Sequence, residues 1–265
     1  MIIDFHTHCF PDRIAQRAIE KLKFVSGNLE PFYDGTVSGL KDNMKKEGIA
    51  TSVVLNIATN PHQQKNVNDF AASINNKKDI FAFGSVHPDS PDALYELERI
   101  KDMGLLGVKL HPDYQGFEID DEKMIPIYKK ISSLGLITSF HAGQDYGYPP
   151  PYKAMPKAFL KALGHFDTPV IAAHWGGAGA GDDVLKYLCG ENVYFDLSLG
   201  YFMMPKYYGL TILEKHPTDK LLFGTDSPWH TPSQELGFLS SLSLSDGEYE
   251  KITSKNAKKL LGIDE

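Results

Sequence analysis

Eight short apolar runs, each followed by a stretch of helical period, constrain this chain more than any other feature. The runs read as strands within Met1–His8, Thr51–Ile57, Ile80–Val86, Leu106–Leu110, Leu136–Phe140, Val170–Ala173, Val193–Leu197 and Leu221–Gly224. Helical patterns lie between them: Val37–Glu47 stopped by Gly48, Met124–Leu134 stopped by Gly135, and Lys206–Lys215. Units of roughly 30 residues are what strand–helix–strand connections require. Near-continuous apolar stretches such as Ser52-Val53-Val54-Leu55 imply burial on both faces, as in a parallel sheet. Eight such units in 265 residues predict an α/β protein built as a single (β/α)8 TIM-type barrel, one domain over residues 1–265. The alternative, a doubly wound open sheet, would gather ligands at a switch point. Here polar residues end strands 1, 3, 4, 5, 6 and 8. That favours a closed ring with its chemistry on the C-terminal rim.

Bulk properties narrow the function. A net charge of −7 with no basic block argues against nucleic acid as a partner. No apolar stretch reaches the roughly 18 residues of a membrane span, and no basic, cleavable leader precedes the first strand. Two cysteines, Cys9 and Cys189, imply no disulfide framework. The expectation is a soluble, cytoplasmic protein whose partner is a small-molecule substrate.

The strand ends carry the chemistry. Strand 1 ends in Asp4-Phe5-His6-Thr7-His8, so simple alternation places Asp4, His6 and His8 on one face. Two neutral imidazoles side by side on a strand suit a divalent transition metal. Strand 4 adds Lys109 and His111, strand 5 His141, strand 6 His174 and strand 8 Asp226. In a barrel these converge on one pocket. Each histidine alone has an ordinary core or surface explanation; five at strand ends, with one aspartate, do not share one easily.

Several residues carry two expectations. Lys109 is either a cation facing a substrate carboxylate or one half of an internal ion pair. His111 either touches substrate or supports a neighbour. Trp175 either stacks on a planar substrate or packs. Asp4 either orients a ligand imidazole or caps backbone amides. His87 and His230 are weaker candidates for the pocket. His62, His165 and His216 are expected to face solvent. The stiff segment Tyr146–Tyr152 is a lid or a surface loop, and the glycine-rich Gly176–Gly181 a weak anion cradle.

The segments His6-x-His8, Gly107-Val108-Lys109-Leu110-His111-Pro112, His141-Ala142-Gly143, His174-Trp175-Gly176-Gly177 and Gly224-Thr225-Asp226-Ser227-Pro228 resemble the amidohydrolase superfamily. They are most similar to the branch that holds aminocarboxymuconate-semialdehyde decarboxylase and related metal-dependent enzymes. The closing Asn256-Ala257-x-x-Leu260-Leu261-Gly262 is similar to that branch too. The resemblance implies one divalent ion per chain on His6, His8, His141 and Asp226, with zinc expected and manganese the alternative. It implies that His174 acts on water or substrate, assisted by Asp226. Lys109 and His111, with Trp175, are then substrate contacts; a bridging Lys109 would instead imply two ions. A homodimer is the default from the same resemblance. Two reactions fit: hydrolysis of a small amide, ester or lactone by activated water, or non-oxidative decarboxylation of an unsaturated or aromatic acid. With no arginine at the strand ends to clamp a carboxylate, hydrolysis is the favoured expectation.

Overall fold

The computed structural model describes residues 1–264. Its strands are β1 (Ile3–Thr7), β2 (Thr51–Leu55), β3 (Ile80–Phe83), β4 (Gly107–Leu110), β5 (Ile137–Phe140), β6 (Val170–Ala172), β7 (Tyr194–Asp196) and β8 (Leu221–Leu222). Helices α1 (Asp12–Val25), α2 (Val37–Glu47), α3 (Gln64–Ile74), α4 (Ala93–Asp102), α5 (Pro112–Gln115), α6 (Ile125–Ser133) and α7 (Pro156–Leu163) connect the first six strands. Then come α8 (Gly181–Tyr187), α9 (Gly200–Met203), α10 (Lys206–Lys215), α11 (Pro232–Ser240), α12 (Asp246–Glu250) and α13 (Asn256–Leu261). A single π-helical turn, Lys251–Lys255, joins the last two. Among the described residues, no helix is long and apolar enough to cross a membrane.

All strand pairs are parallel, in the orders β1-β2-β3 and β4-β5-β6-β7-β8. Two seams close the ring. Gly84 N donates to Gly107 O and Lys109 N to Gly84 O, joining β3 to β4. Phe5 N donates to Phe223 O, Asp226 N to His6 O and His8 N to Ser227 O, joining the end of β8 to β1. The expected barrel is therefore the observed one.

The inside of the ring is filled below by Ile3, Phe5, Val53, Leu55, Phe81, Phe83, Ile137, Ile171 and Leu222, with Ala257 and Leu261 of α13 closing the floor. A second layer packs the outer strand faces against the helices. The strands are shorter than their apolar runs. Past Phe83, Gly84 bridges only to β4, and Ser85 leaves the ladder for Asn68 of α3, which accepts from Ser85 N and donates to Ser85 O.

One strand departs from simple alternation. Between Asp4 and Thr7, β1 advances three residues while β2 advances two, from Ser52 to Val54. This bulge re-aims the chain, so successive residues Phe5 and His6 both serve the interior. Asp4 loses the face it was expected to share with His6. It accepts instead from His6 N, Thr225 N and Thr225 Oγ1, pinning β1 to the segment after β8. Burial nevertheless pushes its carboxyl up to about 8.

His216 also differs from expectation. It is 3% exposed rather than solvent-facing. Its ring stacks on Phe195 with centroids 4.0 Å apart, and Nε2 donates to Val193 O. Apolar burial outweighs its polarity because both nitrogens have backbone partners, Gly190 N donating to Nδ1. Burial pulls its pKa from 6.5 down to about 4, against the Val193 hydrogen bond. Between those values the unfolded chain binds the extra proton, so stability falls as pH drops through that window. At pH 5 this one group costs about 2 kcal/mol. Urea unfolding at pH 7 and pH 5 should show His216→Gln losing less stability over the interval than the parent, by about that amount; equal losses would contradict it.

Candidate metal centre

The ring closure sets the site. The seam that bonds Asp226 N to His6 O places the carboxylate after β8 against the imidazoles of β1. Asp226 Oδ1 lies 3.2 Å from His6 Nε2 and 3.0 Å from His8 Nε2. The backbone is forced there: Asp226, His174 and Trp175 hold φ values of 62°, 59° and 60°, a left-handed conformation uncommon for such residues and typical of functional sites. Gly143, just past His141, has φ 85°, and a Cβ there would meet Ala178 N at 2.3 Å, so only glycine lets the β5 and β6 loops meet.

The partners of the other ring nitrogens assign the tautomers. His8 Nδ1 lies 2.9 Å from Leu55 O, which only accepts, so Nδ1 carries the proton. His6 Nδ1 lies 3.0 Å from Asp196 Oδ2 at the end of β7. Both Nε2 atoms therefore turn lone pairs toward the same carboxylate oxygen. Three lone-pair donors meeting at such distances repel unless a cation or proton lies among them. These donors fit a divalent ion: two neutral imidazoles and a carboxylate, one imidazole braced from behind by a second carboxylate.

Charge follows the same pattern. Burial opposes ionisation of Asp226, yet His6, His8 and Lys109 hold its carboxyl below the usual range. Burial, then neighbouring positive charge, keeps His6 and His174 well below the usual imidazole value, and His141 at about 3. The imidazoles of His6, His141 and His174 are thus neutral. Lys109 is fully buried, its Nζ 3.5 Å from Ser139 Oγ. Burial lowers it to about 8, with Asp196 and Asp226 pulling the other way.

Not every expected residue joins the three-donor cluster of His6, His8 and Asp226. His141 stands beside it. Its Nδ1 is 3.1 Å from His174 Nε2, and its Nε2 is 3.2 Å from Gln144 O. His174 stacks on His6 at 5.0 Å and places Nδ1 2.8 Å from Ser198 Oγ. His111 stacks on His141 at 4.1 Å. Trp175 packs outward: its ring meets Phe238 of α11 edge-on, and Gly200 leaves room for its indole nitrogen. His87 N donates to Gln64 Oε1 and its Nδ1 accepts from Asp89 N, and His230 is buried against Glu235 at 2.5 Å.

Two carboxylates that lie against these histidines were not singled out from the sequence. Asp196 ends the strand-7 run as Asp226 follows strand 8, a signal available in Tyr194-Phe195-Asp196. Asp145 lies in a loop, its Oδ2 3.3 Å from His111 Nε2, with no periodic signal to mark it.

The sequence profile of the Amidohydrolase family matches residues 3–263. No curated protein sequence matches the chain. Solved structures share its fold. An uncharacterised TIM-barrel protein from Bordetella bronchiseptica aligns with TM-score 0.79 at 18% identity, over 99% of this chain and 98% of that one. A dihydroxybenzoic acid decarboxylase from Polaromonas sp. JS666, with bound manganese, aligns with TM-score 0.72 at 15% identity, over 100% and 97%. A probable 2-pyrone-4,6-dicarboxylic acid hydrolase from Acinetobacter baumannii aligns with TM-score 0.69 at 18% identity, over 98% and 99%.

If Asp196 braces His6 as a ligand, Asp196→Asn should weaken divalent-ion binding by about 10- to 100-fold while the fold is kept. Chelator competition with circular dichroism on the same samples checks this. Unchanged affinity would remove Asp196 from the centre.

Proposed function

The chain belongs to the amidohydrolase family, a family of metal-dependent enzymes, and from that premise we propose that it hydrolyses a small amide, ester or lactone. The observation that carries the proposal is the convergence of His6 Nε2, His8 Nε2 and Asp226 Oδ1, with His174 stacked on His6. His6, His8 and Asp226 would hold one divalent ion, zinc or manganese, and His141 would complete the set from the neighbouring strand end. Such an ion supplies Lewis-acid polarisation of a substrate oxygen and acidifies water.

The chain's own residues account for the proton. Ser198 Oγ donates to Asp196 Oδ1 at 2.5 Å, so its lone pair accepts from His174 Nδ1–H. Asp196, Ser198 and His174 form a chain that ends at His174 Nε2, which pairs with His141 Nδ1 at 3.1 Å and would take and return a proton once that pairing opens. That is general acid–base work, worth about 10²- to 10⁴-fold in rate. Asp196 thus supports both sides, bracing His6 through Oδ2 and His174 through Ser198. Lys109, buried beneath, balances the two carboxylates.

Decarboxylation is the second reading, favoured by the same Lys109, which could neutralise a substrate carboxylate. Against it, all three arginines, Arg13, Arg17 and Arg99, lie in α1 and α4, and none ends a strand. Profiling amides, esters, lactones and aromatic or muconate-like acids, with and without added metal, decides between them. Ion-dependent hydrolysis supports the proposal; CO2 release without hydrolysis overturns it. His8→Ala should lose ion and activity together. His174→Ala should keep the ion and lose about 10²- to 10⁴-fold in kcat. Loss of the ion from His174→Ala would point instead to a second ion.

A further inference from the structure

His8 stands one residue past the end of β1, beyond the ladder with β2. Three hydrogen bonds from three other segments fix it instead. Its N donates to Ser227 O at 2.7 Å, and its Nδ1 donates to Leu55 O at 2.9 Å. Its O accepts from the hydroxyl of Tyr33 at 2.6 Å. The first two partners lie at strand ends of the ring. The third comes from outside the ring, from the connection between α1 and α2.

That connection is shaped to reach the ring closure. Asp34 Oδ1 accepts from Thr36 N and Thr36 Oγ1, and Thr36 caps α2 by accepting from Gly39 N. The chain therefore turns sharply just before α2. Gly35 in this turn holds φ 75°, and a Cβ there would meet Ile19 of α1 at 2.6 Å, so glycine lets the turn lie against α1. Two backbone bonds then pin the turn over the seam between β8 and β1: Phe10 N donates to Gly35 O and Phe32 N to Pro228 O, both at 2.8 Å. Tyr33 lies between these two anchors.

The Tyr33 oxygen touches both sides of the seam. Its one proton goes to His8 O, so in the 3.4 Å contact with Ser227 Oγ the serine is the donor. Burial holds the phenol well above its usual value, against the Ser227 hydrogen bond, so the hydroxyl keeps its proton. Ser227 directly follows Asp226. One oxygen thus bonds the segment that carries His8 and the segment that carries Asp226, whose Nε2 and Oδ1 lie 3.0 Å apart.

We propose that Tyr33 is a positioning residue for the metal centre: its hydroxyl clamps the His8 and Asp226 segments together and so sets the affinity for the divalent ion. It touches neither the ion nor a substrate. This rests on the assignment of His6, His8 and Asp226 as ion ligands. The physical basis is preorganisation. Without an ion, the lone pairs of His8 Nε2 and Asp226 Oδ1 repel, and segments freed of the clamp relieve that repulsion by moving apart. Regathering them then costs binding free energy. Ligands in place one time in ten bind about ten-fold more weakly than ligands held in place.

Zinc ion is the probe, in competition with a chromophoric chelator, on protein stripped of metal. Tyr33→Phe removes one oxygen and keeps the ring. It should bind zinc about ten-fold more weakly than the parent. Tyr128→Phe is the control. It removes another tyrosine bond, to Ile119 O at 2.8 Å, from α6 in the outer layer, and should leave zinc affinity unchanged. Hydrogen exchange on the metal-free proteins reads the clamp without the ion. The His8 amide should exchange about ten-fold faster in Tyr33→Phe and at the parent rate in Tyr128→Phe. Zinc affinity equal to the parent's, a loss matched by Tyr128→Phe, or an unchanged His8 exchange rate would each overturn the proposal. A parent that takes up no zinc would overturn the ligand assignment itself, whereas a parent and Tyr33→Phe that bind equally well overturn the clamp alone.

Discussion

One carboxylate oxygen facing two imidazole nitrogens is the interaction on which the rest of the site depends. Asp226 Oδ1 meets His6 Nε2 and His8 Nε2 only because the last strand bonds back to the first. The sequence distance between these residues is nearly the whole chain, and the closing hydrogen bonds make it a few ångströms. A cation at that point turns three repelling lone pairs into a coordination set. Burial then has a use: it keeps the His6 imidazole neutral, while the buried Lys109 beside the cluster helps to hold the Asp226 carboxyl below the usual range.

Asp196 links this centre to the proposed acid–base residue. One oxygen holds His6 and the other holds Ser198, which in turn holds His174. A single side chain therefore fixes the tautomer of a proposed ligand and of the proposed acid–base. His174, Trp175 and Asp226 take left-handed backbone conformations at this rim, while the lower ring is filled with large apolar side chains in ordinary strand geometry. The packed floor holds the rim in place.

Much of this was legible in the chain. The eight strand–helix units followed from the alternation of periods, and the strand-end residues His6, His8, Lys109, His111, His141, His174 and Asp226 were each readable from an apolar run that stops at a polar side chain. What was not legible has physical causes. The β1 bulge breaks the two-residue alternation, so Asp4 was grouped with His6 although it bonds to backbone. His216 was taken for a surface residue because its burial depends on two backbone partners brought by other segments. Trp175 follows a residue in the left-handed region, which turns it toward α11 rather than along the strand. Asp145 sits in a loop, where no periodicity predicts direction.

The central claim is that the chain holds a divalent ion on His6, His8 and Asp226, and its most direct test is elemental analysis of protein purified without a chelating tag. The account predicts about one zinc or manganese per chain, lost in His8→Ala. A chain that carries none, and takes up none on incubation with either metal, would contradict it.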